Sequence, residues 1–176
     1  ELGPRYLTPF FLRLDKIITN EMTAISPVLF ILTKEHTGSD PGEWLGKTLR
    51  TLGHSEENGD VVLMTMGPNR ESTAQAAIDN AADPSKKGGF VYIGNVHHAK
   101  QDWIRALEHR LHDFAHHGEV HPNFRLFVSS EVSDTLPYIL HNSIKINTEC
   151  ASNVSTSFQE AILSTELPQN LNKDSD

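Results

Sequence analysis

Gly88-Gly89-Phe90-Val91-Tyr92-Ile93-Gly94-Asn95-Val96-His97-His98 reads as one short buried strand that runs into a polar turn. Phe90 to Ile93 is apolar without alternation, so both faces of the strand are expected to lie under other elements. A strand covered on both faces belongs to a parallel sheet, and parallel neighbours need crossover helices between them. The stretch therefore predicts an α/β layer fold.

Upstream, Ser26-Pro27 introduces a second continuous run, Val28-Leu29-Phe30-Ile31-Leu32, which reads as the first buried strand. A polar loop from Lys34 leads to Asp40-Pro41, a helix start with Asp as the cap and Pro at the first helical position. Trp44, Leu45, Thr48, Leu49 and Leu52 recur at helical spacing as the buried face, and Gly53 closes the helix. Val61-Val62-Leu63-Met64-Thr65-Met66 is the next strand, with a turn at Gly67-Pro68-Asn69. Ala74, Ala77, Ile78 and Ala81 share one face of a helix, and residues this small let it sit close to a sheet. Asp83-Pro84-Ser85-Lys86-Lys87 breaks that helix before Gly88.

Downstream lies the clearest amphipathic helix. Trp103, Ile104, Leu107, Leu111 and Phe114 line one side, Arg105, His109, His112 and His116 the other, and Gly118 marks its end. Phe124-Arg125-Leu126-Phe127-Val128-Ser129 is a fourth strand. Leu136-Pro137-Tyr138-Ile139-Leu140 is a short helical or turn segment before Ser143-Ile144-Lys145-Ile146-Asn147, whose alternation predicts a half-buried sheet edge. Ser157-Phe158-Gln159-Glu160 has capping-box spacing and is expected to open a last helix with Ala161, Ile162 and Leu163, stopped by Leu167-Pro168.

The chain has 176 residues, which suits one domain with a substantial core. The expected organisation is an irregular lead-in over 1–26, the α/β domain over 27–165 and a disordered tail over 166–176. Glu1 in place of a starting Met, and the polar string from Gln169 to Asp176, suggest a segment of something longer. Fifteen basic against 23 acidic residues give a net charge of −8 without a basic stripe, which argues against nucleic acid as a partner. No run is long and apolar enough for a membrane span. The single cysteine, Cys150, cannot form an internal disulfide, as fits a reducing, cytoplasmic setting. There the Asn153-Val154-Ser155 triplet carries no glycosylation meaning.

Four places invite chemistry. Gly42-Glu43-Trp44-Leu45-Gly46-Lys47-Thr48 resembles a phosphate-binding loop but has three residues, not four, before its Gly-Lys pair. Trp44 and Leu45 fit a helix core instead, which leaves Lys47 in solvent. In nucleotide hydrolases of the phosphate-loop class, a buried strand such as 90–93 ends in an acidic pair that holds magnesium and orients water. Here the pair is Gly94-Asn95, and neither can carry negative charge. Ser129 ends the fourth strand, where such enzymes keep a polar residue near the γ-phosphate. A degenerate nucleotide site would therefore use Lys47, Thr48, Asn95 and Ser129. His97-His98 sits where ligands of α/β sheets bind, although a His pair in a turn is more often scaffold. A metal site would use His109, His112 and His116, with Asp113 standing where a zinc protease has Glu. No catalytic residue is assigned.

Several stretches together resemble the sixth AAA+ module of dynein heavy chains. They are Gly88 to His97 followed by Trp103 and Leu107, then His121-Pro122-Asn123-Phe124-Arg125-Leu126-Phe127-Val128-Ser129-Ser130-Glu131, then Leu140-His141-Asn142-Ser143-Ile144-Lys145-Ile146-Asn147-Thr148-Glu149. Glu1-Leu2-Gly3-Pro4-Arg5-Tyr6 and Gly38-Ser39-Asp40-Pro41 also fit, and the similarity runs to about residue 163. Cys150-Ala151-Ser152-Asn153-Val154 departs from it, where the family has prolines and a Gly-Leu pair. The resemblance implies a large AAA+ subdomain with a five-stranded parallel sheet in the order 5-1-4-3-2, helices on both faces. It also implies a module that has lost nucleotide binding and transmits movement between neighbouring AAA+ modules of one long chain. ATP and magnesium would act at other modules, and the microtubule would be held by other parts of the motor. The setting would be the cytoplasm and cytoskeleton, with the 121–131 stretch leaning towards the axoneme of a cilium or flagellum.

Overall fold

The structure is a computed structural model that describes residues 13–32, 40–131 and 136–148. The expectations for residues 1–12, Gly38-Ser39, the helix opening at Ser157 and the tail lie outside those residues.

Five strands form one sheet: β1 (Val28–Leu32), β2 (Val61–Thr65), β3 (Phe90–Gly94), β4 (Arg125–Glu131) and β5 (Ile144–Asn147). Their order is β2-β3-β4-β1-β5, and every pairing is parallel. Read from the other edge this is 5-1-4-3-2, as the resemblance implied. β4 runs two residues beyond Ser129, because Ser130 and Glu131 still pair with Ile31 and Leu32 of β1. β5 is an edge strand with only Ile146 fully buried, in keeping with its alternating sequence.

Side-chain alternation along the strands divides the core in two. Val91, Ile93, Leu126, Val128 and Leu29 point to one face and pack against α3 (Glu71–Ala82), α4 (Gln101–His117) and α5 (Pro137–Asn142). Val28, Phe30, Tyr92 and Phe127 point to the other and pack against α2 (Pro41–Thr51) and the N-terminal segment. The result is a three-layer α/β domain. Part of the expected irregular lead-in is helical instead: α1 (Leu14–Lys16) continues into a π turn, Ile17–Glu21. Leu14, Ile17 and Ile18 share a helical face and are buried with Met22, which is why this stretch coils.

Within α2, Leu45 and Leu49 are fully buried, whereas Trp44, Thr48 and Leu52 are half-buried. Gly53 at φ +91° closes the helix, with its N–H on the Arg50 carbonyl and the His54 N–H on that of Leu49. In α4, Ile104, Leu107, Leu111 and Phe114 are buried, and Gly118 at φ 67° ends the helix. α5 is capped from a distance: one carboxylate oxygen of Glu108, on α4, accepts from the Tyr138 and Ile139 N–H groups at 2.8 and 3.1 Å. That bond fixes α5 against α4 and so places the edge strand that follows.

Candidate functional site

At the carboxyl end of the sheet, β3, β4 and the start of α2 converge on one hydrogen-bond chain. Asp40 caps α2 by accepting from the Gly42 N–H at 3.1 Å. A carboxylate there meets the positive end of the helix dipole. Tyr92 reaches up from β3, and its hydroxyl donates to the same Asp40 oxygen at 2.9 Å. With its one proton so used, the phenol oxygen accepts from the Ser129 hydroxyl, 3.1 Å away. Ser129 Oγ in turn accepts from the Asn95 N–H at 3.0 Å.

The backbone is shaped to make these contacts. Asn95 stands in the left-handed region at φ 54°, ψ 47°, which Asn tolerates better than most residues. Gly94 leaves the space that Tyr92 uses: a Cβ there would lie 3.1 Å from the Tyr92 hydroxyl oxygen and 3.2 Å from Thr65 Oγ1. Gly42 does the same from the helix side, where a Cβ would come within 2.6 Å of Tyr92 Cε1. Burial pushes the phenol of Tyr92 above its ordinary pKa, and the adjacent Asp40 charge adds to this against the bond with Ser129. Tyr92 is therefore a neutral donor at physiological pH.

The four residues considered for a nucleotide separate into two pairs. Asn95 and Ser129 are joined, as described, at the ends of β3 and β4. Lys47 and Thr48 are held within α2: the ammonium lies 3.9 Å from Glu43 on the solvent side, and Thr48 Oγ1 donates to the Trp44 carbonyl at 3.0 Å. Lys47 is six residues past Pro41, about 9 Å along the axis from the helix start. Among the described residues, the Gly42 to Thr48 stretch is a helix, as its apolar spacing predicted. Tyr92 escaped sequence reasoning as anything but strand. The available signal was a phenol within an apolar run, since a buried Tyr hydroxyl needs a partner.

Next to this chain, His97 Nδ1 accepts from the Glu131 N–H at 3.2 Å and so ties the turn after β3 to the end of β4. Burial lowers its pKa, the neighbouring His98 lowers it further, and Glu131 opposes them. At the opposite end of the sheet, His54 Nδ1 contacts the Asp60 carboxylate at 2.6 Å. On α4, His109 and His112 have ring centroids 6.3 Å apart, and His112 stacks on His116 at 4.0 Å. Among the described residues, no three His, Cys, Asp or Glu side chains gather in a metal-holding group. No described helix is long and apolar enough to cross a membrane.

The sequence and the fold each resemble known proteins. The dynein alpha chain of the flagellar outer arm from Chlamydomonas reinhardtii is 32% identical over 149 residues, covering 81% of this chain. Human dynein axonemal heavy chain 9 is 33% identical over 143 residues, covering 78%. The matched region is 3% of each relative, so this chain spans a small part of their length. A crystal structure of a DNA polymerase III gamma subunit-related protein from Thermotoga maritima superposes with a TM-score of 0.52 at 13% identity. It covers 84% of this chain and 48% of that one, a likeness of fold. Residues 23–147 match the family described as the dynein heavy chain region D6 P-loop domain, and the chain belongs to the dynein heavy chain family.

Proposed function

We propose that this chain is the sixth AAA+ module of a dynein heavy chain, and that it serves as a structural, non-hydrolysing part of the motor ring. The observation that carries this reading is the Asp40 carboxylate at the start of α2, held there by Gly42 and Tyr92. The start of this helix is where a phosphate-loop protein receives its phosphates. An anion of the chain's own already satisfies that end of the dipole, and a phosphate would meet like charge. The paired Gly94-Asn95 gives magnesium no carboxylate. With no turnover of its own, the module would pass rigid-body movements between neighbouring modules of the same chain. ATP and magnesium would act at other modules, and the microtubule would be gripped elsewhere in the motor. Relatives named for axonemes and flagella support a setting in the cytoskeleton of a cilium or flagellum.

The test is thermal unfolding with and without saturating magnesium-ATP. A ligand at 100 times its dissociation constant stabilises by about 2.7 kcal/mol, or roughly 5 to 11 °C at this size. No shift is expected. A shift of that size, lost in Lys47→Ala, would make this a nucleotide-binding module and overturn the proposal.

A further inference from the structure

Among the described residues, β2 forms one edge of the sheet and pairs with β3 alone. The Phe90 N–H donates to the Asp60 carbonyl at 2.8 Å and the Met66 N–H to that of Gly94 at 2.7 Å, so the even-numbered residues turn their backbone groups to β3. By the alternation of a strand, Val61, Leu63 and Thr65 turn theirs outward. Among the described residues, the bond those groups make is that of Arg70 Nη1 to the Thr65 carbonyl, at 3.3 Å. Open edges invite another strand, and proteins blunt them with charge, proline or shortness. β5, at the other edge, has four residues and carries Lys145. Val61–Thr65 has neither a charge nor a proline, and Val62 is 37% exposed.

Beside this edge, on the α3 side, lies a cavity of about 470 Å³ lined by Val62, Ala77, Ala81, Phe90, Lys86 and Lys87. Its apolar part suits a side chain from a strand laid along β2, and its charge is uneven. Asp60, at the same place, is engaged by His54 Nδ1 at 2.6 Å and by the Ser55 N–H at 3.1 Å. Lys86 reaches Asn80 and Asp83. Among the described residues, Lys87 has no ion pair or side-chain hydrogen bond. We propose that the β2 edge is a docking site for an extended acidic segment, which adds a strand to the sheet and sets a carboxylate beside Lys87. This chain matches 3% of its relatives' length, so the segment would come from elsewhere in the same heavy chain, where tethering raises its local concentration. That source rests on family membership and holds whether or not the module binds ATP. A second copy of the chain fits worse, because antiparallel pairing of two β2 strands sets the Lys86-Lys87 end of one against the Arg70 end of the other.

The experiment is an NMR titration of the 176-residue chain with the peptide acetyl-Asp-Val-Thr-Val-Thr-Val-Asp-amide, and with its counterpart carrying Lys in place of both Asp. The amide signals of Val61, Leu63 and Thr65 are expected to move and to saturate with the acidic peptide. The lysine peptide should bind at least about threefold more weakly. The chain as a whole carries −8 and attracts the lysine peptide, so the opposite preference reports the local charge beside Lys87. Thr65→Pro removes an outward N–H without touching the ladder to β3 and should weaken the acidic peptide by about threefold or more. Lys87→Glu alters an exposed side chain, keeps the fold and should reverse the preference. The absence of a saturable shift at these amides overturns the proposal, as does equal binding of the two peptides that Lys87→Glu leaves unchanged. Concentration-dependent shifts of the same amides without peptide would give the edge to a second copy and overturn it as well.

Discussion

Tyr92 and Asp40, 52 residues apart in sequence, meet through a 2.9 Å hydrogen bond that ties β3 to the start of α2. Because the acceptor is a carboxylate and the donor belongs to a buried ring, this bond is of the stronger kind. Tyr92→Phe keeps the ring and its packing on Phe30, 6.2 Å away, but removes the hydroxyl from both Asp40 and Ser129. A lost hydrogen bond to a charged group costs about 1.5 to 3 kcal/mol. For a domain of this size, that lowers the melting temperature by roughly 3 to 12 °C. Urea unfolding of parent and variant measures it, and equal midpoints would mean that the hydroxyl does not hold these elements together.

The turn after β3 supplies a pH dependence. The folded-state pKa of His97 lies below its ordinary value of 6.5, with burial as the largest cause. In the unfolded chain the ring takes up a proton sooner on acidification, so the unfolded state binds more protons in that window. The contribution of His97 to stability is therefore intact above about pH 6.5 and is lost as pH falls through the folded pKa. Its Nδ1 must also stop accepting the Glu131 N–H once protonated. His98, at 4.1 Å between ring centroids, opposes that proton, and the Glu131 carboxylate favours it. The stability difference between parent and His97→Gln should shrink between neutral pH and about pH 5 in urea titrations. A constant difference would mean that His97 does not titrate in this range.

How much of this was legible follows from the distances involved. The strands were readable because Val28 to Leu32 and Phe90 to Ile93 are apolar without a break, and only two-sided burial demands that. The Gly42 to Thr48 segment was readable as helix because Trp44, Leu45 and Leu49 recur at its period, despite the glycines. What the sequence hides is long-range hydrogen bonding. Asp40 was legible as a cap for the Gly42 N–H two residues on, yet its second donor comes from 52 residues away. Glu108 looks like one more charge on α4, but it caps α5 thirty residues later. Local period cannot report such pairs, since either partner alone reads as an ordinary strand or surface residue. The same holds for His109, His112 and His116: spacing put them on one face, and only the structure shows that His112 stacks on His116 while His109 stands 6.3 Å from His112 between ring centroids.

The two glycines of the near-miss loop give the last prediction, because the phosphate-loop reading and the helical reading disagree about them. In a phosphate loop both glycines would matter for backbone approach to the ligand, and neither for packing. In this helix they differ. A Cβ at Gly42 would stand 2.6 Å from Cε1 of Tyr92, whose ring is fully buried and held at its hydroxyl by Asp40. That ring has nowhere to go, so Gly42→Ala should cost about 1 to 3 kcal/mol through overpacking. A Cβ at Gly46 would stand 2.9 Å from Cδ1 of Leu63, the far end of a half-buried, flexible side chain that can turn aside. Replacing a mid-helix Gly by Ala also gains up to about 1 kcal/mol in helix propensity, so Gly46→Ala should be near neutral or stabilising. Denaturant midpoints for the two variants decide between the readings. Equal, small effects would indicate that Tyr92 does not press on the start of α2, and with that the plugged helix end at the centre of the proposed function would fail.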